Sequence, residues 1–244
     1  MDDFGEIKRR RLPSFLLTKK MSLFKIGGMK NIVFDMDGVI FDTEKIWAKA
    51  YDEASHKFGQ NFDEKFRKYC CGRNAQSTIE IMQKKFPDVD AVEVRAFMRK
   101  FVDDMVAKNG VEIKPGFVEL LEFLKTKNIK LALATGSEMH VVENYFESVG
   151  LNVYDIFDAI VSGNMVKKAK PDPEVYETAC KLLKEKPENC IAIEDSPNGT
   201  ISAAKAGLDV LFVVDQIAPD ANVKKYGKKI FNNLFEVKDY FDEI

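Results

Sequence analysis

Acidic and hydroxyl residues follow directly on short apolar runs at three distant points of the chain. Asp35 ends Asn31-Ile32-Val33-Phe34, Thr135 ends Leu131-Ala132-Leu133-Ala134, and Glu194-Asp195 ends Cys190-Ile191-Ala192-Ile193, with Asp37 two residues past the first. Gathered in one place, Asp35, Asp37, Glu194 and Asp195 would repel one another unless a cation neutralised them. Their hard oxygen ligands favour Mg2+ over zinc. Lys170, held in a loop by Pro171 and Pro173, offers the positive charge that such carboxylates and an anionic substrate require. Gly136 and Ser137 are expected to open a helix after Thr135 and so present backbone N–H groups and a dipole end to a phosphate. Each residue alone has a plainer reading, Thr135 and Ser137 as helix caps, Lys170 as a solvated loop charge, Gly38 as a turn. Together they describe a magnesium-dependent phosphoryl-transfer site.

Parallel strands would bring these residues together. The apolar runs at 31–34, 130–134, 159–161, 190–193 and 210–214 read as strands buried on both faces. Between them lie helical patterns at 117–127 (opened by Pro115 and Gly116), 138–149 (stopped by Gly150), 173–184 and 198–206 (stopped by Gly207). Strands separated by helices of this length pair in parallel through right-handed crossovers, which predicts an open α/β sheet with helices on both faces. Asp35, Thr135 and Asp195 would then share the carboxyl edge, where such sheets bind ligands.

Residues Thr43 to Glu112 break the alternation. Trp47, Tyr51, Ala54 and Phe58, then Phe62, Phe66 and Tyr69, then Ile79, Met82 and Phe86, then Val94, Phe97, Phe101 and Met105 follow helical spacing. A structureless loop of that length is improbable, so the segment reads as a helical bundle inserted after the first strand, with the aromatic stripe as its own core. Such an insertion serves naturally as a lid over the strand edge.

Composition narrows the class. The chain has 244 residues, 45% of them hydrophobic, too many for a disordered chain, and 37 basic against 39 acidic residues, a balance that argues against nucleic acid as a partner. No apolar run approaches the ~20 residues of a membrane-spanning helix. The four cysteines, Cys70, Cys71, Cys180 and Cys190, form no CxxC pair and stand apart from both histidines, so free thiols in a reducing cytoplasm are expected. Residues 1–28 differ, with seven basic residues against three acidic ones and an apolar stretch too short for a secretory signal. They read as a leader ahead of a natural start at Met21 or Met29, or as a basic arm that docks on a partner. A monomer acting on a small molecule is expected.

Four segments resemble the haloacid dehalogenase superfamily, in order. Phe34-Asp35-Met36-Asp37-Gly38-Val39-Ile40-Phe41-Asp42-Thr43-Glu44 is similar to its first motif and Leu133-Ala134-Thr135-Gly136-Ser137 to its second. Lys170-Pro171-Asp172-Pro173-Glu174 is similar to its third and Ile193-Glu194-Asp195-Ser196-Pro197-Asn198-Gly199 to its fourth. The resemblance runs from about Lys30 to the C-terminus. It implies a Rossmann-like parallel α/β core (29–42 and 113–244) with an inserted all-helical cap (43–112). It further implies Asp35 as a nucleophile forming an aspartyl-phosphate, Asp37 as general acid and then base, and Thr135 and Lys170 on the phosphate. Asp35, the Asp37 carbonyl and Asp195 would hold magnesium, with Glu194 beside them. These roles are chemically sound, since a carboxylate can attack phosphorus directly and split one hard hydrolysis into two easier steps. Dehalogenases have one carboxylate here in place of the DxD pair.

Within the superfamily, the helical-cap branch holds small-metabolite phosphatases and β-phosphoglucomutases, and the chain resembles both. The mutases carry a histidine ten positions after the second aspartate, where Trp47 stands. Cys71-Gly72-Arg73-Asn74 resembles the cap loop that reaches the substrate, but the arginine with which the mutases grip phosphate lies three positions past the glycine, where Ala75 stands. Arg73 is the candidate to grip from a shifted position, or is a surface charge of the cap. The departures favour a phosphatase acting on a sugar, polyol or nucleoside phosphate, with a mutase as the alternative. A non-catalytic binding module would be expected to lose Asp35 or Asp37, and both are present.

Overall fold

The computed structural model describes residues 29–243 apart from 71, 72 and 74. The basic leader at 1–28 and Cys71, Gly72 and Asn74 of the cap loop therefore lie outside the described residues. In chain order β1 (Asn31–Phe34) is followed by four helices, α1 (Glu44–Phe58), α2 (Glu64–Cys70), α3 (Ala75–Lys85) and α4 (Ala91–Asn109). Then come α5 (Phe117–Thr126), β2 (Leu131–Ala134), α6 (Met139–Ser148), α7 (Val153–Ile156), β3 (Ala159–Val161), α8 (Glu174–Leu183), β4 (Cys190–Glu194) and α9 (Pro197–Lys205). The chain closes with β5 (Asp209–Val213), α10 (Ala221–Tyr226), β6 (Lys229–Phe231) and α11 (Leu234–Asp242).

The six strands form one parallel sheet in the order β3-β2-β1-β4-β5-β6. Alternation within the apolar runs sorts the two faces. Ile32, Phe34, Leu131, Leu133, Ile191 and Ile193 join one apolar cluster with α5, α6 and α11. Val33, Ala132, Ala134, Ala192 and Val210 join a second with Val175, Tyr176, Ala179 and Leu183 of α8. Small alanines on that second face let α8 approach the sheet closely. Burial of each large side chain contributes on the order of 1.5–3 kcal/mol. β6 carries no sequence signal because Lys229 and Ile230 are exposed at the sheet's edge and only Phe231 is buried.

The chain leaves the sheet through a tight turn after β1. Gly38 adopts φ +83°, its N–H donates to the Phe41 carbonyl, and Phe41 bridges antiparallel to Ile113 where the chain returns. A Cβ on Gly38 would lie 2.1 Å from Asp195 Oδ2, so both the backbone twist and the neighbouring carboxylate require glycine.

The helical segment differs in detail from the aromatic stripe as core. Phe62 and Phe66 are buried, and Phe86 packs edge-on against both at 4.9 and 5.0 Å. The fully buried face of α4, however, is Ala91, Val94, Met98, Val102 and Val106, while Phe97 and Phe101 flank it half-buried. Tyr69 is exposed, and Trp47 and Tyr51 also border a cavity. Unbranched and β-branched side chains fill the narrow space between α1 and α4 better than rings do.

Candidate active site

Strand register brings the acidic residues to one edge. Phe34 of β1 pairs with Leu133 of β2 and with Ile193 of β4, so Asp35 stands level with Ala134 on one side and Glu194 on the other. Asp35, Glu194 and Asp195 are all buried, although 160 positions separate the first from the last.

Lys170 holds this cluster together. Its Nζ donates to Asp35 Oδ1 at 2.5 Å, Glu194 Oε1 at 2.7 Å and the Ala134 carbonyl at 3.2 Å. Its side chain is only 10% exposed, so the solvated loop charge is overturned. Glu194 is saturated with donors. Oε1 also accepts from the Tyr176 hydroxyl at 2.8 Å, and Oε2 accepts from the Asp195 and Ser196 amides and the Ser196 hydroxyl, each at 3.0 Å. Burial opposes the charge on Glu194, but Lys170 and these donors outweigh it and hold its carboxyl below the usual range. Tyr176 is a site residue that the sequence reading missed, because it lies on the apolar face of α8 and reads there as core.

Asp35 answers the same forces differently. Burial pushes its carboxyl up to about 7 against the pull of Lys170, and Glu194 and Asp37 add to the rise. Burial, then Glu194, Asp35 and Asp215, hold Asp195 far above the normal carboxylate range. Asp195 has no cation beside it among the described residues, while Asp215 is ion-paired to Lys114 at 2.7 Å.

The turn after β2 corrects one expectation. Helix α6 begins at Met139 with Glu138 as its N-cap, so Gly136 and Ser137 do not open it. The Thr135 side chain captures the Ser137 amide instead, Ser137 N donating to Thr135 Oγ1 at 3.0 Å, which folds 135–137 into a turn ahead of the helix. Ser137 Oγ in turn donates to Asp37 Oδ2 at 2.9 Å. Thr135 is fully buried and sets this turn, whereas Gly136 and Ser137 reach the cavity wall.

A cavity of about 450 Å³ opens between the strand edge and the inserted helices. Its lining includes Asp35, Asp37, Lys170 and Asp195 from the sheet side and Trp47, Arg73, Arg95 and Arg99 from the helical side. Arg73 is exposed, donates from Nε to the Tyr69 carbonyl at 2.8 Å and lies over the Tyr69 ring at 4.6 Å. Asp35, Glu194 and Asp195 offer oxygens within 4.8 Å of one another, a buried, charge-rich donor set that fits a hard divalent cation. No helix among the described residues is long and apolar enough to cross a membrane. Among the described residues, Cys70, Cys180 and Cys190 are buried and stand outside any disulfide.

Known proteins resemble this chain in sequence and fold. The family model described as haloacid dehalogenase-like hydrolase matches residues 32–213. A phosphorylated carbohydrates phosphatase of Thermotoga maritima is 31% identical over 191 residues, 76% of this chain and 85% of its own. β-Phosphoglucomutase of Bacillus subtilis is 29% identical over 74% of this chain and 81% of its own. Among solved structures, β-phosphoglucomutase from Clostridium difficile superposes with a TM-score of 0.71 at 26% identity, covering 88% of this chain and 98% of that one. CbbY from Rhodobacter sphaeroides in complex with phosphate superposes with 0.74 at 24% identity, over 86% and 96%, a likeness of fold. With the family model spanning the strand edge and the helical insertion alike, the chain belongs to the haloacid dehalogenase-like hydrolases.

Proposed function

We propose that this hydrolase is a magnesium-dependent phosphatase of a small phosphorylated metabolite, a sugar, polyol or nucleoside phosphate, working through an aspartyl-phosphate on Asp35. One observation carries the reading: the Lys170 ammonium sits 2.5 Å from Asp35 while Ser137 holds Asp37, and all four residues line one cavity. The phosphatase relative from Thermotoga maritima supports the same reaction class. Buried cysteines outside any disulfide suit a reducing cytoplasm.

The chemistry divides among the residues. Lys170 bonds one oxygen of Asp35 and leaves the other for in-line attack on phosphorus. As that bond forms, the bond from phosphorus to the leaving oxygen breaks, and Asp37 gives its proton to that oxygen. Asp37, now a carboxylate, takes a proton from water, whose oxygen attacks phosphorus and releases Asp35. Ser137 fixes Asp37 for both transfers by bonding one oxygen and leaving the other to carry the proton. Lys170, Gly136 and Ser137 face the phosphoryl oxygens, with Thr135 shaping the turn. Asp35, the Asp37 carbonyl and Asp195 would hold magnesium, which would supply charge neutralisation for the phosphoryl group. Glu194 anchors Lys170 beside that set. Residues 43–112 act as the cap and 29–42 with 113–244 as the core, so the cavity between them excludes water while the intermediate forms.

Position 47 favours water over a sugar hydroxyl as the acceptor. An indole there can donate one hydrogen bond but cannot relay a proton as an imidazole can. The test is a screen of phosphorylated sugars, polyols and nucleotides with magnesium, scored by phosphate release. A second arm supplies β-glucose 1-phosphate with a trace of the bisphosphate, followed by phosphorus NMR. Free phosphate accumulating faster than glucose 6-phosphate is expected, and the reverse would make the protein a mutase.

A further inference from the structure

The cap side of the cavity carries charge that hydrolysis of a monophosphate does not use. Helix α4 presents Arg95 and Arg99 to the cavity at a spacing of one turn, and α1 faces them with Trp47. The Arg95 guanidinium lies 4.1 Å from the centre of the Trp47 ring and that of Arg99 5.5 Å, so the indole forms a shelf for both.

The two arginines differ in how their charge is met. Arg99 is ion-paired with Asp103 and lies over the Tyr145 ring of α6 at 5.8 Å, although its Nε is buried with no hydrogen-bond partner. Arg95 meets no carboxylate within ion-pair distance among the described residues, and its Nη1 is buried with no hydrogen-bond partner. The other cations of the cavity are engaged. Lys170 sits between Asp35 and Glu194, Arg67 is bonded to Asp52 and to the carbonyls of Phe62 and Ala48, and the exposed Arg73 donates to the Tyr69 carbonyl and lies over the Tyr69 ring. The cavity carboxylates Asp35, Asp37, Asp195 and Glu138, the N-cap of α6, belong to the strand-edge side, and Glu44 begins α1 close enough to Asp195 to raise its pKa.

A guanidinium keeps its proton even when buried, so one without a carboxylate carries a desolvation cost that the Trp47 ring offsets in part and an incoming anion offsets further. We propose that Arg95, shelved on Trp47 and backed by Arg99, receives a second anionic group of the substrate, an oxyanion at the end remote from the scissile phosphate. The proposal rests on the phosphatase reading of the site and names its substrate class: small phosphorylated acids or bisphosphates, in preference to phosphates of neutral polyols. A carboxylate and a phosphate both match the fork of donors that arginine presents.

Matched substrates of graded chain length test this, each with a phosphate at one end and a hydroxymethyl, a carboxylate or a second phosphate at the other. The magnesium-loaded enzyme should favour the charged ends in kcat/KM by roughly ten- to hundredfold over the neutral one, mostly through KM. The carboxylate and phosphate arms report which oxyanion fits. Arg95→Gln should bring that ratio towards one, and Arg95→Lys should restore part of it. The same series titrated calorimetrically into Asp35→Asn, which cannot turn over, should show the same discrimination in binding, lost in the double variant with Arg95→Gln. Equal handling of charged and neutral ends by the parent, or discrimination that survives Arg95→Gln, would overturn the proposal. Hydrolysis of p-nitrophenyl phosphate separates the two levels: retained with no discrimination, it leaves the phosphatase reading standing and removes only the second-anion site. Its absence removes both.

Discussion

Lys170 meets Asp35 and Glu194 with one ammonium, and the unequal response of those carboxylates separates their work. Glu194, ringed by five donors, stays charged and holds Lys170, while Asp35, with fewer donors, is the carboxyl raised to about 7. Among the described residues, the Asp37 carboxyl accepts one side-chain hydrogen bond, from Ser137. Ser137→Ala should therefore lower kcat by roughly two- to tenfold, more on poor leaving groups than on p-nitrophenyl phosphate, as steady-state kinetics would read. Asp37→Asn should lose about 10²- to 10⁴-fold on the same poor leaving groups. Activity equal to the parent in either variant would contradict these roles. The acidic residues were legible because a carboxylate after a buried apolar run has few structural uses. Tyr176 and Arg95 were not, since a tyrosine on an apolar helix face reads as core and an arginine on a cap helix reads as solvated until the neighbouring elements are in place.

Two glycines set how closely the elements approach. A Cβ on Gly199, in the first turn of α9, would lie 1.7 Å from Glu194 Oε1, and one on Gly38 would meet Asp195. Helix α9 starts where it does because Ser196 caps it, accepting from the Gly199 amide at 3.0 Å, with Pro197 at its first position. Gly38→Ala should cost roughly 1–3 kcal/mol in unfolding free energy, from the left-handed backbone and the displaced carboxylate together. It should weaken magnesium binding as well, measured by thermal shift against metal concentration. A variant with unchanged stability and affinity would show that Asp195 is not confined by this turn. The strands β1 to β5 were readable because each is a continuous apolar run buried on both faces. Edge strand β6 and the short helices α7 and α10 bury too few side chains to leave a periodic trace. The turn at 135–137 was misread as a helix start because capping by Thr135 of its own turn looks, in sequence, like capping of the helix beyond it.

At the scale of the whole molecule, the cavity joins an anionic strand edge to a cationic cap, and both halves gain from neutralisation. Magnesium at a hundred times its Kd should stabilise the fold by about 2.7 kcal/mol, seen as a rise in Tm, with a much smaller rise for Asp195→Asn. A chelator should abolish turnover, and magnesium should restore it. Undiminished activity in excess chelator would contradict the metal's role. Alternation of strands and helices made the parallel core legible, and the break in that alternation located the helical insertion. Of the charge facing the cavity from that insertion, Arg73 was legible from its loop, whereas Arg95 and Arg99 were not, because their position depends on how α1 and α4 pack. The most direct measurement of the central claim is acid quenching of the magnesium-loaded enzyme within its first turnover, followed by mass spectrometry of its peptides. The phosphoryl mass increment should appear on the peptide containing Asp35, decay on the timescale of turnover, and be absent from Asp35→Asn. A phosphoryl group on another residue, or full turnover by Asp35→Asn, would contradict the aspartyl-phosphate mechanism.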